Sequence, residues 1–257
     1  MAYFNSCTES TNLPRMRRTL CLDFGNSRQK VALFEGDNLQ EMRVLGEAST
    51  ETVSQLMDEW KPDWSILSSV IDHDPSLADL LAARSSFHQL SHQTRVNFTT
   101  PVGKPESIGP DRLALCAAAV YFYPRRNNLI IGLGTCITYN FINRDHAFLG
   151  GGISAGLAMR LKAMHHQTAL LPLIGPKADV PLIGYDTETN MLSGAVLGMA
   201  LEIDGFLELY RARYGNFNAV LTGGDLPYLV SNLKSGIFAD PDFTFKGLYA
   251  IAVHNLH

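Results

Sequence analysis

Apolar and polar positions alternate along the chain in short blocks, and glycine interrupts those blocks in the same way more than once. Leu20-Cys21-Leu22 and Val31-Ala32-Leu33-Phe34 are apolar runs separated by Asp23-Phe24-Gly25-Asn26-Ser27, which reads as strand, glycine turn and strand. A degraded copy follows at Leu129-Ile130-Ile131-Gly132-Leu133-Gly134-Thr135-Cys136 and the apolar-rich residues 137–142, with Asp23 aligned on Gly132. Such turns present backbone N–H groups with no side chain in the way, an arrangement suited to phosphate oxygens. Two of them in one chain predict a duplicated fold that grips a nucleotide's phosphates from both sides.

Between the copies, Val53, Leu56, Met57 and Trp60 have the spacing of a helix with one buried face, which Pro62 ends. Residues 64–70 read as a buried strand. Asp74-Pro75 opens a second helix through Leu77, Leu80, Leu81 and Phe87, and the proline-rich 99–110 reads as a loop delivering a strongly apolar helix from Asp111. The second half follows a similar plan. It has a turn at Gly150-Gly151-Gly152, a helix near 158–170 broken by Pro172, a long helix over 189–214, and a strand at 218–221 running into Thr222-Gly223-Gly224. Residues 243–247 then lead to a short helix ending at His254. The alternation predicts an α/β fold with halves at 19–118 and 119–257, the last helix packing back on the first half. Residues 1–18, rich in Ser, Thr, Asn and Arg, read as a disordered extension, with Met16 a candidate start.

Composition narrows the function classes. A 257-residue chain, 46% apolar and 18% charged, has material for a sizeable core, and a net charge of −4 with no polybasic run argues against nucleic-acid or anionic-membrane partners. Its longest apolar run, 113–123, falls well short of the roughly 20 residues that span a bilayer. The four cysteines lack a Cys-x-x-Cys spacing, and Cys21 and Cys136 lie within apolar strands, which fits a reducing cytoplasm. The histidine pairs His88/His92 and His165-His166 lack a third ligand at a suitable spacing. Leu201, Phe206 and Leu209 read as helix core or subunit contact.

Taken in order, Asp23-x-Gly25-Asn26-Ser27, Gly109-x-Asp111-Arg112, Gly134-Thr135-x-Ile137-Thr138 and Gly150-Gly151-x-Ile153-x-x-Gly156 form a specific set. With residues 161–172, Ile183-Gly184-x-x-Thr187, Ser193-Gly194, Thr222-Gly223-Gly224 and Pro241-Asp242-x-Thr244-x-x-Gly247, the chain from residue 19 onward resembles the type III pantothenate kinases. The resemblance implies two ribonuclease-H-like halves of the actin-like ATPase superfamily around a nucleotide cleft. It also implies a homodimer that phosphorylates pantothenate with MgATP in the first committed step of coenzyme A synthesis, with potassium or ammonium as activator.

Carried over residue by residue, the resemblance makes Asp23 the carboxylate that holds Mg²⁺ through water and Asp111 the general base for pantothenate's primary hydroxyl. Arg112 orients the anionic substrate, with Gly109, Pro110, Val102 and Thr187 on the substrate side. Gly25, Asn26, Ser27, Lys30, Gly134, Thr135, Gly223 and Gly224 face the ATP phosphates. Plainer readings stand beside these: Asp23 as a turn residue, Asp111 as a carboxylate on a helix dipole, Arg112 as a solvated charge and Thr187 as an N-cap. The sequence departs from the family at Gly132, where relatives carry the Asp associated with the monovalent cation. It departs also at Asn140, often Asp in relatives, and at Val102, commonly Tyr. A weakened relative with a regulatory role, and a kinase for another small hydroxy acid, are the alternatives to an active pantothenate kinase.

Overall fold

The computed structural model describes residues 16–26, 28–234 and 237–256; Ser27 and most of the N-terminal extension lie outside them. Antiparallel β1 (Arg18–Phe24), β2 (Gln29–Glu35) and β3 (Asn38–Leu45) are extended by β4 (Trp64–Ser69) and β5 (Ser86–Gln89), which run parallel to β1, giving the order β3-β2-β1-β4-β5. The second sheet contains β6 (Asn128–Leu133), β7 (Cys136–Ile142), β8 (Phe148–Ala155), β9 (Asn218–Thr222) and β10 (Phe238–Ala239). Its order, β8-β7-β6-β9-β10, repeats the first strand for strand, with the same antiparallel and parallel pairings. The repeat seen in two hairpins therefore extends to two whole sheets. Asp23 pairs with Lys30 in the first, and its counterpart Gly132 pairs with Thr138 in the second.

The period of two along each strand assigns its faces. Leu20, Leu22 and Phe24 join a core with Val53, Leu56, Met57 and Trp60 of α1 (Thr50–Trp60) and Leu77 and Leu81 of α2 (Ser76–Arg84). Leu129, Ile131 and Leu133 face α4 (Leu157–His166) and α5 (Thr187–Tyr214). Residues of the intervening register, Cys21 and Ile66 in one sheet and Ile130 and Val220 in the other, share a third core with α3 (Pro110–Phe122) and α7 (Phe243–Asn255). The result is five layers, with α3 and α7 sandwiched between the two sheets.

Those two helices are built to approach closely. Residues 113–120 of α3 are all buried and include four alanines and a cysteine. A methyl on Gly247 of α7 would overlap the carbonyl of Ala114. Asp37, in the turn between β2 and β3, accepts hydrogen bonds from Tyr121 Oη of α3 (2.8 Å) and Tyr249 Oη of α7 (2.9 Å), fastening both helices to the first sheet.

Several boundaries differ from the sequence expectation. Gly150-Gly151-Gly152 is not a turn but lies within β8, because a side chain at Gly151 would overlap the Tyr139 carbonyl of the neighbouring strand. Phe87 belongs to β5, since α2 ends at Arg84. The helix near 158–170 ends at His166, before Pro172. Arg18 is part of β1, where Asp63 receives its N–H and Glu35 its guanidinium, and Arg17 lies 4.0 Å from the Trp64 ring centroid, so the extension stops short of residue 17. The short edge strands β5 and β10 give no alternation long enough to read.

Replacing Gly247 by Ala drives a methyl into the α3 backbone. The expected loss is about 3 kcal/mol of unfolding free energy, as overpacking a tight interior contact typically costs. Urea denaturation measures it, and an unchanged midpoint would show that the helices have room to separate.

Candidate active site

The carboxyl ends of β1 and β6 come up to the start of α3, where Asp111 acts on Asp23 and Leu115 approaches Gly132, and strand carboxyl ends are the usual position for a ligand in sheets of this kind. Proline at N1 pre-sets the helical φ of α3, and Gly109 is its N-cap without a side-chain cap bond. The carboxylate of exposed Asp111 folds back over Gly109: a Cβ there would lie 2.6 Å from Asp111 Oδ1. Asp111 is thus both a first-turn acidic residue favourable to the helix dipole and an accessible carboxylate.

Asp23, at the end of β1, faces the same helix. Burial raises its carboxyl from 3.8 to about 6, while Lys30 across the hairpin pulls it down and Asp111 pushes it up. Two carboxylates from different elements therefore feel each other's charge, with one lysine beside them. Asp23 itself is half-buried, and Ser68, its parallel neighbour on β4, is buried.

On the second sheet, Gly134 and Thr135 form an exposed turn closed by Gly134 N–H to the Cys136 carbonyl (3.1 Å), the counterpart of Gly25 N–H to the Arg28 carbonyl (3.1 Å). The turn is braced twice by glycines that a side chain would displace. Gly156, at the start of α4, packs on the Gly134 and Thr135 carbonyls, and Gly223 (φ 113°) packs on the Leu133 carbonyl. Asp225 accepts the N–H of Leu157 (3.1 Å), joining the Gly223-Gly224 loop to the N-terminus of α4. This residue carried no signal in the sequence, since its partner is 68 positions away.

Gly132 has no vacancy beside it: a Cβ would meet Thr138 Oγ1 at 2.8 Å and Leu115 Cδ1 at 3.1 Å. Arg112 reaches β7, where its Nε donates to Asn140 Oδ1 (2.7 Å) and its Nη2 to the Tyr139 carbonyl (3.4 Å). The solvated-charge reading of Arg112 is therefore replaced by a half-buried, oriented guanidinium. Val102 packs against the central core.

Thr187 is not the N-cap of α5. Asp186 is, in a capping box with Thr189, and Thr187 lies exposed at the first helical position, on a helix that packs against α4 and α6 (Leu226–Leu229). Of the remaining side chains, Leu201 and Leu209 are exposed, whereas Phe206 stacks on Tyr139. His165 Nδ1 lies 2.7 Å from the Leu171 carbonyl oxygen, and His88 Nε2 lies 2.9 Å from Thr94 Oγ1. A concavity of about 320 Å³ bordered by Arg125, Arg126, Arg144 and Phe217 shares no residue with the set around Asp23. Chemistry rather than volume marks the site.

A sheet order used twice, with a glycine hairpin at the same place in each copy, is that of the paired ribonuclease-H-like halves of the actin-like ATPase superfamily, and the chain is of this class. A solved Baf family protein from Campylobacter jejuni has the same fold, with a TM-score of 0.58 at 22% identity over 92% of this chain and 98% of that one. Within the class, the chain belongs to the type III pantothenate kinase family, whose model matches residues 19–209. It is 40% identical over 238 residues to the type III pantothenate kinase of Christiangramia forsetii, covering 92% of this chain and 98% of the relative. It is 37% identical to that of Phocaeicola vulgatus over the same shares, and 36% identical to that of Flavobacterium johnsoniae, covering 89% and 95%.

The raised Asp23 carboxyl makes a signed prediction. Because its folded value lies above 3.8, the proton it retains contributes stability that is present in acid and lost as pH rises from about 4 through 6. Asp23→Asn escapes that loss. Its melting temperature should therefore draw ahead of the parent's between pH 4 and 6 and keep a constant lead above, while turnover disappears. Thermal melts across this range decide it, and parallel pH profiles would refute the raised carboxyl.

Proposed function

We propose that the chain transfers the γ-phosphoryl group of ATP to the primary hydroxyl of pantothenate, giving 4′-phosphopantothenate and ADP, the first step of coenzyme A biosynthesis. The observation that carries the reading is the electrostatic meeting of Asp23 and Asp111 at the end of β1 and the first turn of α3, in a chain of this family. In this reading Asp111 takes the hydroxyl proton as the oxygen bonds to the γ-phosphorus and the bond to the β–γ bridging oxygen breaks. A base so placed contributes roughly 10²–10⁴-fold. Phosphoryl transfer asks otherwise for alignment and charge neutralisation. The backbone donors at Asn26, Thr135, Gly223 and Gly224 are assigned to the phosphates, with Gly25 and Gly134 closing the turns that present them, and Arg112 is assigned to the substrate carboxylate, which suits a planar guanidinium.

Asp23 fits a hard, oxygen-seeking cation: it is a carboxylate at a strand end, and Lys30 helps keep it ionised. Mg²⁺ held there would neutralise phosphate charge. We assign no carboxylate-bound potassium site at Gly132, because Thr138 and Leu115 already occupy the space beside it. We place the enzyme in the cytoplasm. Cys21, Cys116 and Cys136 are free thiols, and among the described residues no helix is long and apolar enough to cross a membrane.

The homodimer is assigned to one face of α5. Gly194, Gly198, Leu201, Gly205 and Leu209 fall on one side of the helix, the three glycines have open space where a Cβ would be, and the two leucines are 67% and 68% exposed. A second copy covers such a face by presenting the same one.

Asp111→Asn should cut turnover by about 10²-fold or more with the fold intact. The assay follows phosphopantothenate with Mg²⁺, with and without potassium, and near-parental turnover removes Asp111 from the base role. Leu201→Glu with Leu209→Glu should convert a dimeric mass in solution to a monomeric one; a monomeric parent at assay concentration ends the dimer assignment.

A further inference from the structure

We propose that the concavity at the amino-terminal ends of β6 and β9 is a second anion site, one that takes an oligophosphate group and is separate from the glycine turns. The inference goes beyond the kinase reading and does not depend on it. Three connections form the walls: Arg125 and Arg126 between α3 and β6, Arg144 between β7 and β8, and Asn216 and Phe217 between α5 and β9. They stand at the opposite end of the sheet from Gly134 and Gly223. β6 alone, from Asn128 beside the concavity to Leu133 beside the phosphate turn, spans roughly 17 Å at the usual rise per residue. A volume of about 320 Å³ is at the lower end of the range for small-ligand sites.

Arg125, Arg126 and Arg144 are exposed, and none of the ion pairs among the described residues includes them. Arg18, Arg43, Arg84 and Arg160, by contrast, each pair with a carboxylate. Asp145, the acidic residue next to Arg144, does not line the concavity. In a chain of net charge −4, three guanidiniums gathered around one concavity without a counter-charge repel one another. The backbone is also strained there. Three non-glycine residues among those described have left-handed φ, and two of them meet at this place: Arg125 and His146, both at φ 59°, with Arg125 N–H donating to His146 Nε2 at 3.5 Å. Such residues cluster at ligand clamps, where the surroundings hold them in place. Asn127 Oδ1 accepts the N–H of Arg144 (2.9 Å), which fixes the β7–β8 connection beside the α3–β6 one and leaves Asn127 Nδ2 as a neutral donor at the same concavity. Each guanidinium presents paired N–H donors that match phosphate oxygens. Three of them suit the charge and span of linked phosphates better than a single carboxylate, and an anion reached by all three removes their repulsion.

The test is a calorimetric titration of the full chain with inorganic tripolyphosphate. The parent should show one more site per chain than the triple variant Arg125→Gln, Arg126→Gln and Arg144→Gln, and that site should weaken as salt is added. Without tripolyphosphate, the triple variant should melt no lower than the parent, because the repulsion is gone. Arg17→Gln with Lys162→Gln, which removes exposed cations elsewhere on the surface, should keep the site. A parent that does not bind tripolyphosphate, or that binds it at the same number of sites as the triple variant, overturns the inference. An equal loss in the Arg17 and Lys162 variant overturns it too, since diffuse surface charge then accounts for the binding. If the triple variant does not fold, each single Gln substitution should weaken the site about threefold or more, and three unchanged affinities refute it. A parallel titration with ADP separates the two sources of the ligand. Loss of one ADP site in the triple variant supports a nucleotide, and unchanged ADP binding with loss of the tripolyphosphate site supports inorganic oligophosphate. Whether the chain phosphorylates pantothenate has no bearing on either count of sites, so the two readings can fail separately.

Discussion

The close approach of α3 and α7 between the two sheets is the constraint on which the rest of the structure depends. Each sheet buries one face against its own outer helices, and each needs a partner for the other face. A single layer of two helices serves both, which is possible because α3 is lined with alanines and Gly247 lets α7 settle on its backbone. The contact fixes the separation of the sheets and the position of the first turn of α3 between them. Asp111 then acts on Asp23 of one sheet, Arg112 reaches Asn140 of the other, and Leu115 fills the space beside Gly132.

Duplication explains the architecture, and divergence explains the chemistry. In the first copy, the position before the glycine turn carries a carboxylate with a lysine opposite. In the second it carries glycine, flanked in register by Thr138 and Thr222. The first hairpin thus presents charged side chains and the second neutral ones, the difference on which the proposed division between cation and phosphate rests. Asp23 carries a cost, because an ionised carboxylate at that depth is held against desolvation, and Lys30 only partly offsets it. Catalytic sites commonly exhibit this exchange of stability for reactivity.

The treatment of charge differs among the arginines. Arg43, Arg84 and Arg160 each lie against a carboxylate, and the exposed pairs among them contribute little. Arg112 is held by an amide, a carbonyl and a ring face.

The amino-acid sequence by itself determined the glycine hairpins, the helix 50–60 with its buried stripe, the long α5, and the candidacy of Asp23 and Asp111. These are legible because turn geometry and helical periodicity are local properties, expressed within a few residues. The glycines of β8 misled, since a glycine that permits a neighbouring strand to approach looks the same in sequence as one that makes a turn. Thr187 offered itself as a cap when the capping bonds belong to Asp186 and Thr189. Only the tertiary structure decided that Asn140 orients Arg112, that Asp225 ties a loop to α4, and that the space beside Gly132 is filled. Each joins residues far apart in the chain, and no pattern of spacing encodes such a meeting, because it exists only once two sheets have closed on the same pair of helices.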